Sequence, residues 1–176
     1  MPAAVTAEER CHISQGLYAY CRGLDRFDRD LALSPFAADA HLVYSGLFEG
    51  TAVEFVDWIW PIHARMVVHV HRVANIFVDR DSQGRLVSES YIQVLLRSRG
   101  PADGSMTDNV GDGRYVDRWV DDNGTLTICE RDYIRDAVRT YAHVPNDAPA
   151  VRAASDAAAL ASARDGSDAS YRLLRG

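Results

Sequence analysis

At Val67 the apolar periodicity of the chain changes from helical to extended, and the extended pattern persists for most of the next seventy or so residues. Val67–Asp79 and Arg85–Arg97 read as two long strands joined by the turn-like Arg80-Asp-Ser-Gln-Gly84. Asn109–Val120 and Thr125–Arg135 form a second pair, joined through Asp121-Asp-Asn-Gly124, a strong hairpin signal. Four successive strands closed by short turns must pair antiparallel. Because helices precede them, the class is α+β, with helices on one side of a strongly curved, mostly antiparallel sheet.

The helices announce themselves by their starts. Thr6 with Glu9 makes a capping box, after which Ile13, Leu17, Tyr20 and Leu24 recur at helical spacing. Gly23 and the charged run Asp25-Arg-Phe-Asp-Arg29 end this helix. A second short helix is expected from Asp28 to Ala38, and a strand from His41 to Ser45. Thr51 with Glu54 caps a third helix carrying Phe55, Trp58, Ile59 and Ile62, which Pro61 bends or ends. After Pro145 the chain turns Ala-rich, with Pro149 at a helix N1 position and helix expected up to Arg164. The Gly-, Ser- and Asp-rich stretch beyond it reads as loose until Tyr171. The expected organisation is one domain, residues 1–144, and a partly helical extension, 145–176.

The 176 residues suffice for one sizeable core. A net charge of −6 without a basic stripe argues against a nucleic-acid partner. No apolar run reaches membrane-spanning length and the start has no signal core, so a cytoplasmic protein is expected. Cys11, Cys21 and Cys129 are too scattered for a disulfide framework and read as free thiols.

Against this background three polar residues stand out. Asp25 closes an apolar helix face, while His71 and Arg131 each lie in the middle of an apolar strand. Alternate strand residues share a face, which groups Val67, His69, His71, Val73, Asn75 and Phe77, and likewise Thr127, Cys129, Arg131 and Tyr133. Both faces of the first long strand are apolar enough to be covered, one by helix and one by a cavity. A carboxylate, an imidazole and a guanidinium can supply an orienting group, a general base and an anion stabiliser without metal or cofactor. Arg131 could instead pair with Asp117 or Glu89 across the sheet. His69 and His71 form a His-x-His with chelating geometry, but no carboxylate follows at the spacing a cupin-type site needs, so no metal is expected. Tyr44, Trp60, Tyr91, Tyr115 and Trp119 could line an aromatic-friendly pocket or simply build the core.

The sequence resembles the SnoaL-like group of the nuclear transport factor 2-like superfamily, in its scytalone dehydratase and hexachlorocyclohexane dehydrochlorinase branch. The residues carrying the resemblance are Tyr20 followed by Asp25, Phe36-Ala-Ala-Asp-Ala40, Trp60-Pro61, His71 with Asn75, and Arg131 after the Asn-Gly turn; they span roughly residues 8 to 135. The resemblance implies a cone of curved sheet and helices around an apolar pocket. It implies Asp25 and His71 as a catalytic dyad, Tyr20 and Arg131 as substrate-polarising partners, and a homodimer or homotrimer. Tyr20 stands where the dehydrochlorinase uses a lysine, which favours dehydration over dehydrochlorination. His69 and the C-terminal extension fall outside the family pattern.

The chemistry expected is that of a cofactor-independent lyase. A neutral His71 takes a proton next to an activating group, since imidazole titrates near working pH. Asp25 fixes its tautomer, and Tyr20 or Arg131 stabilises the developing negative charge. Water leaves, or formaldehyde in a retro-aldol variant, from an apolar aromatic or polycyclic substrate. Tyr44, Trp60, His69, Asn75, Tyr91, Tyr115 and Cys129 are the expected substrate contacts. The same parts could act as an isomerase of a cyclic ketone. The fold also serves ligand-binding modules and the small subunits of ring-hydroxylating dioxygenases.

Overall fold

A computed structural model describes residues 3–100, 105–143, 160 and 162–174. Helix α1 spans Ala7–Asp25, α2 Arg29–Leu33, α3 Ala52–His63 and α4 Tyr171–Leu174. The strands are β1 Phe36–Tyr44, β2 Phe48–Thr51, β3 Met66–Arg80, β4 Leu86–Arg99, β5 Met106–Asp122 and β6 Thr125–His143. They form one sheet in the order β2-β1-β6-β5-β4-β3. Only the β1–β6 pair is parallel; every other neighbour is antiparallel. The sheet is curved, and α1 and α3 fill its inner face, in agreement with the α+β cone expected.

Both capping boxes form. The Glu9 amide donates to Thr6 Oγ1 at 3.1 Å while Glu9 Oε2 accepts from the Thr6 amide at 2.7 Å, and Thr51 with Glu54 repeats the arrangement. Ile13, Leu17, Tyr20 and Leu24 are buried in the core, as their spacing requires. Gly23 lies so close to α2 that a Cβ there would stand 2.3 Å from the Ala32 nitrogen. This contact fixes the exit of α1, and therefore where Asp25 is presented. The β5–β6 turn uses Asn123 and Gly124, both at positive φ, as a two-residue hairpin demands.

Several boundaries differ from those expected. The second helix is a single short turn, and β1 begins five residues earlier than its apolar core suggests. Residues 48–51 are a short strand paired with β1. Pro61 lies inside the last turn of α3 and does not stop it before His63. Residues 144–159 and 161, where most of the Ala-rich helix was expected, lie outside the described residues. Residues 162–164 are not helical, and the segment after them packs on the body of the fold rather than staying loose. Arg164 donates to the carbonyls of His63 and Met66, stacks over Phe27, and is followed by Asp168, which is paired with Arg26. None of the described helices is long and apolar enough to cross a membrane.

Four one-residue register shifts interrupt the long strands, two in β3 and two in β6, and two of them bear on the expected site. In β3, Asn75 adopts φ 47° and the register shifts between Ala74 and Phe77. In β6, Cys129 is the extra residue between Ile128 and Glu130. Such bulges rotate the following side chains to the opposite face. The outer face of β3 is also open rather than covered: Arg72, Ala74 and, beyond the bulge, Phe77 are exposed.

Candidate active site

Among the described residues β3 is an edge strand, so alternate backbone N–H groups along it have no strand partner there. The last residue of α1 fills that role at one point. The Asp25 carboxylate accepts the His71 amide at 2.9 Å through Oδ2 and at 3.1 Å through Oδ1. Oδ1 also lies 2.8 Å from His71 Nδ1 and 3.0 Å from His69 Nδ1. One carboxylate thus gathers both histidines of the His-x-His, whose side chains share a face by strand alternation.

Burial raises the Asp25 carboxyl, but the hydrogen bonds from His69 and His71 and the His71 amide outweigh it and bring its pKa down to about 2. The carboxylate is therefore ionised at neutral pH and can only accept. Both Nδ1 atoms must carry hydrogen, which leaves Nε2 of each neutral imidazole with a bare lone pair. The site thus selects the tautomer a general base requires.

His63, the last residue of α3, completes the cluster. Its ring centroid is 4.2 Å from that of His69, and the rings of His69 and His71 are 4.9 Å apart. Burial pushes the pKa of His69 down to about 4 and that of His63 down to about 2; neighbouring histidines add to the effect. These two groups are protonated more readily in the unfolded chain, so folding loses stability as pH falls below about 6.5. The loss is roughly 2 to 3 kcal/mol for each histidine by pH 4.5. Asp25 acts in the same direction at lower pH: its contribution is complete above its unfolded value and is lost only as pH falls toward 2. The melting temperature should therefore drop between pH 7 and pH 4.5, and His63→Phe should flatten that slope. An unchanged melting temperature over the range would show that these histidines are not held neutral by burial.

The histidines form one wall of a cavity of about 150 Å³ whose other walls are mainly apolar. Leu24 from α1, Phe55, Trp58 and Ile59 from α3, Leu47, and Ile92, Val94 and Leu96 from β4 supply the other walls, with Tyr115 and Tyr133 beside them. Two further tyrosines bring the remaining polarity. The hydroxyls of Tyr20 and Tyr44 are 2.8 Å apart and both residues line the cavity. Burial raises the pKa of both phenols, that of Tyr44 to about 12, so each keeps its proton. Asp25 itself stands behind the histidines, at an outer groove with Tyr18, Arg22 and Arg26; His71 borders both spaces.

Arg131 is fully buried and lies behind the cavity wall. It makes a two-point ion pair with Asp117, at 2.6 and 2.8 Å, resolving the choice between Asp117 and Glu89. Its guanidinium carbon sits 4.1 Å from the Tyr115 ring centroid and 4.6 Å from that of Tyr20. It can reach a substrate only through the field it imposes on these rings.

The structure thus brings Asp25, His69, His71, Tyr20, Tyr44 and Tyr115 together and separates four other expected contacts from them. Trp60 turns away and packs on Phe27 at 4.5 Å, because a helix places Trp58 and Ile59, not Trp60, on the cavity side. Asn75 is exposed, because the bulge it forms ends the alternation that places His69 and His71 inward. Tyr91 is half exposed on the outer face, since its neighbour Ile92 points inward. Cys129 sits in the β6 bulge, with its thiol against the Arg118 carbonyl. His63 went unrecognised, although Phe55, Ile59 and His63 follow each other at i, i+4 and continue the apolar face of α3.

Asp25, His69 and His71 also present donor atoms within 4.8 Å of one another, types that a divalent transition metal accepts. In the observed arrangement those donors satisfy each other through the shared carboxylate.

The fold recurs among solved structures. A protein from Novosphingobium aromaticivorans DSM 12444, provisionally named scytalone dehydratase, superposes with a TM-score of 0.65 at 20% identity, covering 78% of this chain and 89% of that one. A type 2 hexachlorocyclohexane dehydrochlorinase (LinA) gives 0.67 at 13% identity, over 80% and 95%. ActVI-ORFA from Streptomyces coelicolor gives 0.61 at 18% identity, over 74% and 98%. No curated protein sequence matches the chain. The SnoaL-like domain matches residues 5–132, which is most of the folded body. The chain belongs to the SnoaL-like family of the nuclear transport factor 2-like superfamily.

Proposed function

We propose that the protein is a cofactor-independent lyase of the dehydratase type, acting on a small ring compound. The observation that carries this reading is the 2.8 Å contact between His71 Nδ1 and an ionised Asp25 at the wall of an apolar cavity. Neutral His71 takes a proton from a carbon next to a carbonyl through Nε2, and Asp25 stabilises the imidazolium that forms. The Tyr20–Tyr44 hydroxyl pair donates to the oxygen on which negative charge develops. The C–H and C–O bonds break, a conjugated C=C bond forms, and hydroxide leaves as water with a proton returned from the site. Arg131 tunes the tyrosines from behind. The names of the dehydratase and dehydrochlorinase neighbours support this class, and tyrosine at position 20 favours loss of water over loss of chloride. A cavity near 150 Å³ suits one six-membered ring, since an apolar cavity of about that size takes up benzene.

The test uses 3-hydroxycyclohexanone and related cyclic β-hydroxyketones in heavy water. Formation of the enone is followed by ultraviolet absorbance and proton exchange by NMR. Wild type should do both, and His71→Ala should lower both rates by about 10²- to 10⁴-fold at an unchanged melting temperature. Undiminished rates in His71→Ala would sink the mechanism. Exchange and double-bond migration without loss of water would point to the isomerase variant.

A further inference from the structure

We infer that His63 and His69 form a recognition subsite for a hydroxyl group of the ligand, at the end of the cavity beside His71. His63 is 7% and His69 1% exposed, and both line the cavity. Among the described residues, His63 Nδ1 and His69 Nε2 are buried and have no hydrogen-bond partner. Buried polar atoms are normally paired, and two orphans on adjoining rings at one cavity wall are costly unless a ligand engages them.

The chemistry of the pair narrows what that ligand presents. Because Nδ1–H of His69 is committed to the ionised Asp25, its Nε2 can only accept. His63 Nδ1 can carry hydrogen and donate. A hydroxyl satisfies both at once: its O–H donates to His69 Nε2, and its oxygen accepts from His63 Nδ1–H. A carbonyl or ether leaves His69 unpaired, a carboxylate sets a negative oxygen against a lone pair, and an alkyl group serves neither. The ligand class is therefore a neutral ring compound bearing a free hydroxyl, a phenol or a cyclic alcohol. As a statement about substrate this rests on the lyase reading. As a statement about binding it is independent of turnover.

Calorimetry on the full chain with phenol, anisole and toluene tests it, since none of the three has the leaving group an elimination needs. Wild type should bind phenol about 10-fold or more tightly than anisole or toluene, because a site built around a hydroxyl discriminates against analogues lacking the donor. His63→Phe should abolish that preference while keeping toluene binding. Equal or tighter binding of toluene by wild type, or a phenol preference retained in His63→Phe, would overturn the subsite. Should His63→Phe fail to fold, long-range ¹H–¹⁵N spectra of wild type decide the matter. Phenol but not toluene should shift the His63 Nδ1 and His69 Nε2 resonances, and unmoved resonances refute the assignment. Failure of the lyase reading would appear instead as absent turnover with phenol binding intact.

Discussion

Asp25→Asn is expected to lower kcat by about 10²- to 10⁴-fold while changing KM little. The carboxylate accepts three N–H groups: two ring Nδ1–H and the His71 amide. An asparagine keeps one acceptor oxygen and adds an NH₂ donor. With its oxygen toward the rings, the NH₂ faces the His71 amide, donor against donor. In the flipped orientation the NH₂ faces both Nδ1 atoms, and the rings must move hydrogen to Nε2. That removes the lone pair the base uses. Either orientation also loses the negative charge that stabilises an imidazolium, a term felt mainly as the proton transfers. Binding should fall much less than turnover, because Asp25 lies behind the histidines, does not line the cavity and bears on the ligand only through the tautomer of His69. Steady-state kinetics on any substrate found above, with Asp25→Ala as a second variant, separates the alternatives. A rise in KM at constant kcat would make Asp25 a structural cap of the edge strand and nothing more.

Asp117→Ala is the variant expected to damage the fold most, by about 3–5 kcal/mol. Burial disfavours the charged guanidinium of Arg131, and the Asp117 carboxylate outweighs it. Both side chains are fully buried, so no water can replace the lost partner. The Tyr20, Phe36 and Tyr115 rings around Arg131 attract the cation weakly by comparison. Breaking the pair strands a charge, whereas removing both charges does not. The double variant Asp117→Leu/Arg131→Met should therefore recover most of the stability lost by Asp117→Ala alone. Urea unfolding of wild type, Asp117→Leu, Arg131→Met and the double variant gives the coupling directly. Additive effects would show that the two side chains do not act as a unit.

Sequence periodicity and spacing were most informative where a local rule acts alone. Capping boxes at Thr6 and Thr51, the Asn-Gly turn and the apolar stripe of α1 each depend on neighbours in the chain, and each appears in the structure as read. The contact between Asp25 and His71 was legible for a related reason: a carboxylate at a helix end and a histidine inside an apolar strand are both out of place unless they meet. What stayed hidden depends on sheet register. The bulges at Asn75 and Cys129 each insert one residue, and one residue reverses every later side chain. Asn75 carried a readable hint, because Asn tolerates positive φ better than most residues. Cys129 carried none. Trp60 is expected from its size and aromaticity, whereas helical phase, which was not applied to His63, is what places Phe55, Ile59 and His63 at the cavity.

The parallel contact between β1 and β6 has a kinetic consequence. Leu42 pairs with Arg131, roughly 90 positions later, so the ring of secondary structure closes on a long loop. The β3–β6 hairpins involve only nearby segments and are expected to assemble first, with β1, α1 and α3 docking onto a preformed meander. At that earlier moment Arg131 and Asp117 already face each other across β5 and β6 but are still wet. Their dehydration coincides with arrival of the Tyr20 and Phe36 rings. The slow step in folding is therefore expected to be the docking that adds β1 to the sheet and seals this ion pair, after the β3–β6 meander has formed.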